Sequence, residues 1–253
     1  MTRIAVAGAT GRVGRHVVDV LQAGGHDVVA ISRSRGVDVI TGDGLAAALD
    51  GAESIIDTAT GPSPEQHAAT EFFTTAARNL QEAGSRAGVR RLVVVSIIGT
   101  DKYTAGYGAA KIAHERAALA GPVPAQILRA AQFHEFVEVL MTWGRRGDVV
   151  YLPGMRTQLV AARTVAEALA ALALSPEAAA AGAPVAEIAG PREEYLPAMA
   201  ELLAARRGDP VKIEVAGNPA DPDDELNSSG ALLPGPHATL AGPTFAEWLD
   251  ATH

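Results

Sequence analysis

The chain has 253 residues, of which 48% are hydrophobic, so it is long enough to form one large α/β domain around a sizeable core. Its formal net charge of −8 argues against a nucleic acid as the main partner, because phosphate backbones bind to basic surfaces. Cysteine is absent, which excludes disulfides and thiol chemistry. We find no apolar run long enough to span a membrane and no signal-peptide pattern, so we expect a cytoplasmic protein without membrane contact.

The first predicted element is the strand RIAVA, which runs directly into the stretch GATGRVG and the helical pattern VGRHVVDVLQAG. Gly8 suits a tight strand-to-helix turn, Gly11 the close approach of a pyrophosphate, and Gly14 close packing of the helix on the sheet. Because this pattern lies at the start of a predicted βαβ unit, it predicts dinucleotide binding at the helix N-terminus. The residues predicted to bind are Gly8, Thr10, Gly11, Arg12, Val13 and Gly14. A glycine turn without a ligand is the alternative.

The second strand, DVVAIS, is followed by arginines where NAD-binding chains have a carboxylate. A carboxylate there would bond the ribose 2′-hydroxyl, whereas Arg33 can form a fork to a 2′-phosphate and stack on adenine. Arg12 can reach the same phosphate. We therefore predict NADP(H) in preference to NAD(H), with solvated loop arginines as the alternative.

A third strand is predicted at VDVIT, and Asp43 follows it in TGDG. Its carboxylate suits the adenine amine or, equally well, the N-cap of the short helix LAAALDG. The fourth strand, SIIDTA, is followed by the small residues Thr58, Ala59 and Thr60. They are predicted to leave room for the cofactor ribose and pyrophosphate, although small residues suit any loop between a strand and a helix.

The candidate catalytic group follows the fifth strand, RLVVVSI. Ser96 lies near its end, and Tyr107 and Lys111 share one face of a helix predicted over residues 107–119, since they are four positions apart. Lys111 is expected to lower the pKa of the Tyr107 phenol and to hold the nicotinamide ribose. Tyr107 would pass a proton to a carbonyl oxygen that Ser96 hydrogen-bonds. A surface position on the helix is the alternative for Tyr107.

The candidate substrate residues follow the sixth strand, AQILRA. Open α/β sheets bind ligands beyond the carboxyl ends of their strands, so Gln132, Phe133 and His134 are expected to face the cleft. Phe133 can stack on a quinone ring and His134 can relay a proton; core packing and a helix start are the alternatives. Tyr151 is expected to line an apolar wall. We find no residues with metal-ligand spacing, so no metal is predicted.

The alternation of strands and helices over about the first 130 residues predicts an α/β fold with a Rossmann-type, doubly wound parallel sheet. Later elements are too few for an independent core, so residues 1–253 are predicted to form a single domain. Residues 1–132 form its dinucleotide-binding core, and residues 133–253 form mainly a small C-terminal substrate-binding cap with some returning elements. A helix is predicted over residues 70–87, and a loop or frayed helix end over the alanine-rich residues 178–183.

Several stretches together resemble a known group of proteins: GATGRVG, SRS, VVVSIIGTD, GYGAAKIAHE, ILRAAQFHEF and GPTFAEWL. The chain is similar to the short-chain dehydrogenase/reductase superfamily, in particular to the atypical branch around NmrA-like proteins and NAD(P)H-dependent quinone or azo reductases. The resemblance implies that Ser96, Tyr107 and Lys111 match the family's Ser–Tyr–Lys group. Only ten residues separate Ser96 from Tyr107, which is tighter than is common, and the tyrosine is often lost in the NmrA-like branch.

These observations predict an NADPH-dependent oxidoreductase that transfers hydride to a small carbonyl, enone or quinone. Two alternatives stay open: a non-catalytic, NmrA-like protein that senses NADP, and a biosynthetic tailoring enzyme, such as an isomerase or dehydratase, on the same fold. The expected partner is a small-molecule substrate, and the chain is expected to be a monomer or a homodimer.

Overall fold

The computed structural model describes residues 1–176 and 184–252, so the predicted loop or frayed helix end at residues 178–183 lies outside the described residues. The strands are, in chain order, β1 Arg3–Ala7, β2 Asp27–Ile31, β3 Ser54–Asp57, β4 Arg91–Ile97, β5 Ala125–Ala130, β6 Arg145–Arg146, β7 Val149–Leu152, β8 Arg156–Thr157, β9 Ala186–Ala189, β10 Glu194–Tyr195, β11 Lys212–Val215 and β12 Thr239–Leu240. The α-helices are α1 Gly14–Ala23, α2 Leu45–Leu49, α3 Gln66–Arg86, α4 Gly106–Leu119, α5 Phe136–Gly144, α6 Ala162–Leu174, α7 Leu196–Arg207, α8 Glu225–Ser228 and α9 Phe245–Thr252. None of these helices is long and apolar enough to cross a membrane.

A seven-stranded parallel sheet forms the centre of the fold, in the order β12-β9-β5-β4-β3-β1-β2. Strand β1 lies between β2 and β3, so the chain winds outward from it in both directions. Helices α1 and α6 cover one face, and α2, α3 and α4 cover the other. Burial on both faces explains the apolar sequence of β4. The predicted Rossmann-type α/β fold is confirmed.

The strand predicted at VDVIT is wrong, because residues 37–41 form a turn-rich loop. The Asp38 carboxylate accepts the Ile40 N–H at 2.7 Å, and the Asp38 N–H donates to the Asp43 carbonyl oxygen at 3.0 Å. These bonds use backbone groups that a strand would pair with a neighbour. Of the apolar residues in this stretch, Val39 still reaches the core, with 9% of its surface exposed.

The residues after β5 divide into two groups. Strands β9 and β12 join one edge of the central sheet, and α6 packs on its face. Most of the other elements form a small cap, in which α5, β7, α7 and α9 enclose a hydrophobic cluster that includes Val137, Val150, Leu196 and Phe245. The cap thus has a hydrophobic cluster separate from those on the sheet, and the single domain over residues 1–253 stays a prediction. These apolar residues are far apart in sequence, so only the tertiary fold brings them together.

Candidate functional site

The glycine loop, residues 8–14, connects the end of β1 to the start of α1. Gly8 has a φ of 73°, and a Cβ atom there would lie 2.8 Å from backbone atoms of Thr58 and Ala59. A Cβ atom on Gly14 would lie 2.1 Å from the Gly8 carbonyl oxygen. Both positions therefore require glycine, because a side chain would collide with the backbone. The turn after β1 and the turn after β3 pack directly against each other.

The loop leaves backbone donors available at the start of α1. The Gly11 N–H donates to the Gly8 carbonyl oxygen at 2.8 Å, which closes the loop. Within residues 1–176 and 184–252, the N–H groups of Arg12, Val13 and Gly14 have no hydrogen-bond acceptor, and no side chain caps the helix. Thr10 is exposed beside them. Free N–H groups at a helix N-terminus bind phosphate, so the loop fits the pyrophosphate of a dinucleotide.

Four exposed arginines lie on this loop, at the start of α1 and after β2: Arg12, Arg15, Arg33 and Arg35. The Gly8 N–H donates to the Ile31 carbonyl oxygen at 3.1 Å, so the loop lies beside the short 3-10 helix Arg33–Arg35 that follows β2. Across the described chain, none of the four guanidinium groups pairs with an acidic side chain. Arginines of the cap do pair, as in Arg145 with Asp209 at 2.7 Å. A group of cations without acidic partners is thus found near the glycine loop.

The small residues after β3 have different roles from one another. The Thr58 hydroxyl is buried and donates to the Ala7 carbonyl oxygen at 2.8 Å, so it fixes the turn and does not open towards a ligand. Ala59 is also buried, against Gly8, and only Thr60 is exposed. Asp43 is exposed in the loop before α2. Its alternative role as the helix N-cap is wrong, since the N-cap position is Gly44 and no side chain caps that helix.

A buried hydrogen-bonded chain links Lys111 to Asp57. The Lys111 ammonium donates to the Val95 carbonyl oxygen at 2.8 Å and to His114 Nδ1 at 2.9 Å. His114 Nε2 lies 3.0 Å from Asp57 Oδ2, and Asp57 Oδ1 accepts the Ala59 N–H at 2.9 Å. The exposed fractions of Asp57, His114 and Lys111 are 1%, 1% and 4%. The network assigns the His114 proton to Nε2, because Nδ1 accepts from the ammonium.

The charges in this chain follow from burial and from the neighbouring groups. Burial lowers the pKa of Lys111 to about 8, although the charges of Asp57 and Glu115 raise it. Burial and the Lys111 charge lower the pKa of His114, so the imidazole is neutral. Burial raises the pKa of Asp57, but the hydrogen bonds from His114 and the Ala59 N–H and the charge of Lys111 outweigh it and hold that pKa below its usual value. The chain therefore holds one anion and one cation with a neutral ring between them.

Tyr107 has surroundings that differ from the predicted ones. Burial raises the pKa of Tyr107 to about 12, so the expectation that Lys111 lowers it is wrong. The Tyr107 ring packs edge-on against Phe73, with ring centroids 5.6 Å apart, and the Lys111 ammonium lies over the same Phe73 ring at 4.4 Å. The ammonium bonds to Val95 and His114, and no hydrogen bond joins it to the phenol.

Ser96 lies near the carboxyl end of β4, next to the Val95 carbonyl that holds Lys111. It is 2% exposed, and its Oγ has no hydrogen-bond partner within the described part of the chain. Burying a hydroxyl without a hydrogen-bond partner costs free energy of folding. A ligand oxygen that accepts a hydrogen bond from Ser96 at this edge of the sheet would remove that cost. The structure does not bring Ser96, Tyr107 and Lys111 into mutual hydrogen bonds.

The predicted substrate residues lie in three different surroundings. His134 is 1% exposed and packs against the rings of Phe245 and Trp248, so the expectation that it faces an open cleft is wrong. Its Nε2 bonds the Pro243 carbonyl oxygen at 3.1 Å, and burial lowers the pKa of His134 to about 4, which keeps the ring neutral. This ring is enclosed by the last helix, so it packs within the cap and does not lie in an open cleft.

Gln132 and Phe133 are half-buried beyond β5. The Gln132 amide oxygen accepts the Thr157 hydroxyl, and Phe133 packs against the hydrophobic cluster on the α1–α6 face. Tyr151 is 41% exposed on β7 and alternates with the buried Val150 and Leu152, so its ring points away from the core of the cap.

Asp57 and His114 are the residues that motif reasoning missed. Asp57 ends the buried strand SIID, and His114 lies three positions after Lys111 on the same helix. A carboxylate at the end of an otherwise apolar strand, and a histidine one turn from a functional lysine, were the available signals. Neither signal identifies the other partner. Among the residues that the structure describes, no group of His, Asp and Glu side chains forms a metal site.

Comparisons with known proteins agree with this geometry. A family described as NAD(P)H-binding matches residues 8–120, from the glycine loop to the end of α4. No curated protein matches the chain in sequence. The fold and the glycine loop thus define an NAD(P)-binding α/β protein.

Three solved structures are similar to nearly the whole chain. A short-chain dehydrogenase/reductase superfamily protein from Agrobacterium tumefaciens with bound NAD is 18% identical, with a TM-score of 0.67 over 98% of this chain and 95% of that one. UDP-N-acetylglucosamine 4-epimerase from Bacillus cereus is 17% identical, with a TM-score of 0.70 over 99% and 95%. The NAD-dependent NDP-hexosamine 5,6-dehydratase TunA is 15% identical, with a TM-score of 0.70 over 100% and 96%. Together with the family match, these likenesses show that the chain has the fold of NAD(P)-binding α/β proteins.

Proposed function

We propose that the protein is an NADPH-dependent reductase that transfers hydride to a small carbonyl, enone or quinone. The observation that carries this proposal is the group of four arginines without acidic partners beside a glycine loop that fits a pyrophosphate. A guanidinium bonds a phosphate through two parallel N–H groups, so a cofactor with a 2′-phosphate is favoured over NAD. Of the three similar structures, one holds bound NAD and one is NAD-dependent, so the arginines are the feature of this chain that favours NADP(H).

Each part of the site has a proposed role. NADPH supplies the hydride when it is bound. The N–H groups of residues 12–14 hold the pyrophosphate, Arg33 binds the 2′-phosphate, and Lys111 holds the nicotinamide ribose. Ser96 Oγ donates to the substrate oxygen, which gives this buried hydroxyl the partner it lacks. Burial raises the pKa of Tyr107 to about 12, so the phenol keeps its proton at neutral pH. The proton that the substrate takes up comes from this phenol or from a nearby water.

The direct test mixes the purified protein with NADPH and a panel of ketones, enones and quinones, and follows the loss of NADPH absorbance. We expect turnover with at least one class of acceptor. Ser96→Ala should reduce the turnover rate more than it weakens NADPH binding, because the hydroxyl acts on the substrate. Tight NADPH binding without turnover above background on the whole panel would contradict the reductase function.

One observation favours a second candidate, a protein that senses NADP without catalysis. Tyr107 has no hydrogen bond to Lys111 or Ser96. The phenol is therefore not held in the hydrogen-bonded arrangement in which the Ser–Tyr–Lys group would transfer a proton. Tyr107→Phe separates the two functions. A sensor keeps its NADPH affinity in Tyr107→Phe and shows no turnover in either the wild-type protein or the variant. A reductase that uses Tyr107 shows turnover in the wild-type protein and loses it in the variant.

The similar structures favour a third candidate, a tailoring enzyme, because two of them are a 4-epimerase and a 5,6-dehydratase of nucleotide sugars. NADPH labelled with deuterium at the transferable position distinguishes this candidate. A reductase places the label in its product and consumes NADPH in proportion. An epimerase or dehydratase leaves the amount of NADPH unchanged.

A further inference from the structure

We propose that Asp57 and His114 are positioning residues, which hold Lys111 and the turn after β3 in the one arrangement that binds the cofactor. The inference rests on the proposed function, since it takes Lys111 as the group that contacts the nicotinamide ribose. It adds two residues that lie outside the glycine loop and outside the Y-x-x-x-K pattern.

Asp57 connects the chain to the glycine loop. One carboxylate oxygen accepts the Ala59 N–H at 2.9 Å, and the other accepts from His114 Nε2 at 3.0 Å. The Ala59 nitrogen is one of the atoms that a Cβ on Gly8 would approach at 2.8 Å. Asp57 therefore fixes the turn against which the pyrophosphate loop packs, and it holds His114 through its second oxygen.

His114 connects the carboxylate to Lys111. The imidazole is stacked on the Phe73 ring, with centroids 4.7 Å apart and an interplanar angle of 15°, so its two nitrogens have fixed directions. Nδ1 accepts from the Lys111 ammonium at 2.9 Å, and the Val95 carbonyl oxygen accepts a second N–H at 2.8 Å. An ammonium group has three N–H donors. Two are used within the protein, which leaves one for a ligand.

The charges around Lys111 make Asp57 its main counter-charge. Glu115 faces Lys111 from the same helix, but it forms an ion pair with Arg129 of β5 at 2.8 Å. Helix α3 contributes the uncharged Phe73 ring, and β4 contributes the Val95 carbonyl. His114 is neutral. Removing the Asp57 charge should therefore make the Lys111 ammonium easier to deprotonate.

Three variants separate the contacts of the chain. Asp57→Asn removes the charge and keeps the size of the side chain. His114→Asn keeps an acceptor near the Nδ1 position for Lys111, whereas His114→Gln keeps a donor near the Nε2 position for Asp57. For each variant, the affinity for NADPH and the kcat and KM of the reduction are measured from neutral to alkaline pH.

In the wild-type protein, NADPH affinity should fall as the pH rises through the pKa of Lys111, about 8. Asp57→Asn should move this fall to lower pH by about one unit, so its loss of affinity relative to the wild-type protein should approach about tenfold above both midpoints. His114→Gln should weaken NADPH binding by about tenfold, since Lys111 loses an acceptor, and His114→Asn should weaken it less. Folding of each variant is checked by circular dichroism and thermal unfolding.

Asp223→Asn is the matched control, because the Asp223 carboxylate accepts N–H groups at the start of α4 but does not touch Lys111. It should weaken NADPH binding to a similar degree at every pH and leave the midpoint in place. Asp57→Asn and His114→Gln variants that fold but keep the wild-type midpoint and affinity would overturn the positioning role. If Asp57→Asn does not fold, the two His114 variants and an NMR titration of the Lys111 amine in the wild-type protein test the positioning role. An ordinary lysine pKa for Lys111 would overturn that role. Wild-type protein that does not bind NADPH refutes the proposed function itself.

Discussion

Single atoms of Gly14 and Gly8 fix the shape of the candidate cofactor loop. The Gly8 carbonyl oxygen occupies the space that a Gly14 side chain would need, at 2.1 Å from its Cβ position. The same oxygen accepts the Gly11 N–H at 2.8 Å. Close packing at Gly14 and the free N–H groups at the start of α1 are therefore consequences of one tight turn, which links local stability to phosphate binding.

We predict that Gly14→Ala abolishes NADPH binding and lowers the free energy of unfolding by about 1–3 kcal/mol, because the added methyl group overlaps backbone that cannot move freely. Gly11→Ala is the matched control for stability alone, since its Cβ would lie 3.1 Å from the same oxygen, a contact that a small shift relieves. Thermal unfolding and calorimetric titration with NADPH measure both effects. A Gly14→Ala protein with wild-type stability and affinity would show that the turn is not essential.

For single residues, the sequence predicts the loop or helix on which a residue lies better than it predicts the environment of the side chain. The glycine spacing and the four-residue spacing of Tyr107 and Lys111 were sufficient to place these residues on a loop and on one helix face. The rise in the pKa of Tyr107 and the burial of His134 were not predictable, because Phe73 and Trp248 come from other parts of the chain. Side-chain environments of this kind depend on tertiary packing.

Helix α4, which carries Tyr107 and Lys111, is held at its start by a segment from the far end of the chain. The Asp223 carboxylate accepts the N–H groups of Thr104 and Ala105 at 2.7 and 2.8 Å and the Thr104 hydroxyl at 2.8 Å. The Lys102 ammonium donates to the Ala231 carbonyl oxygen at 2.7 Å. These contacts tie the loop after β4 to residues 223–231 and so position the helix.

We predict that Asp223→Asn lowers the free energy of unfolding by about 1 kcal/mol at neutral pH, as the loss of a helix cap does. Burial raises the pKa of Asp223, but the bonds from Thr104 and Ala105 outweigh it and hold that pKa below its usual value. The contribution of Asp223 is therefore present above the pKa of an unfolded aspartate, about 4, and is lost as the pH falls through the lower folded pKa.

Chemical denaturation of both proteins at neutral and acidic pH checks this prediction. The difference in stability between the wild-type protein and Asp223→Asn should narrow as the pH falls. A constant difference over the same range would contradict the assigned role of the ionised carboxylate.

Strands and helices could be predicted where the hydrophobic pattern and the length of the segment indicate the same type of element. The alternation of apolar strands and helices predicted β1 to β5 except for the extra strand at VDVIT, where Asp38 bonds its own loop. The cap was harder to predict, because its strands are only two to four residues long and its core joins α5, α7 and α9. Short elements that depend on distant partners give little periodic signal.

Over the whole molecule, cations are distributed unevenly despite the net charge of −8. Several arginines of the cap pair with carboxylates, as in Arg156 with Glu193 at 2.7 Å, whereas within the described residues Arg12 and Arg33 near the glycine loop do not. A local positive field in an acidic protein favours an anionic ligand at that edge. Exposed charges are screened by salt, so the affinity for NADPH should fall as ionic strength rises, more steeply than the affinity for NADH.

Calorimetric titration of NADPH and NADH into the wild-type protein and Arg33→Ala tests the central claim most directly. Arg163→Ala is a control, since Arg163 pairs with Glu167 on α6 at 3.0 Å. We predict that Arg33→Ala weakens NADPH binding by about tenfold or more and weakens NADH binding far less, because NADH lacks the 2′-phosphate that the guanidinium is proposed to bind. Equal losses for the two cofactors, or tighter binding of NADH by the wild-type protein, would contradict the assignment.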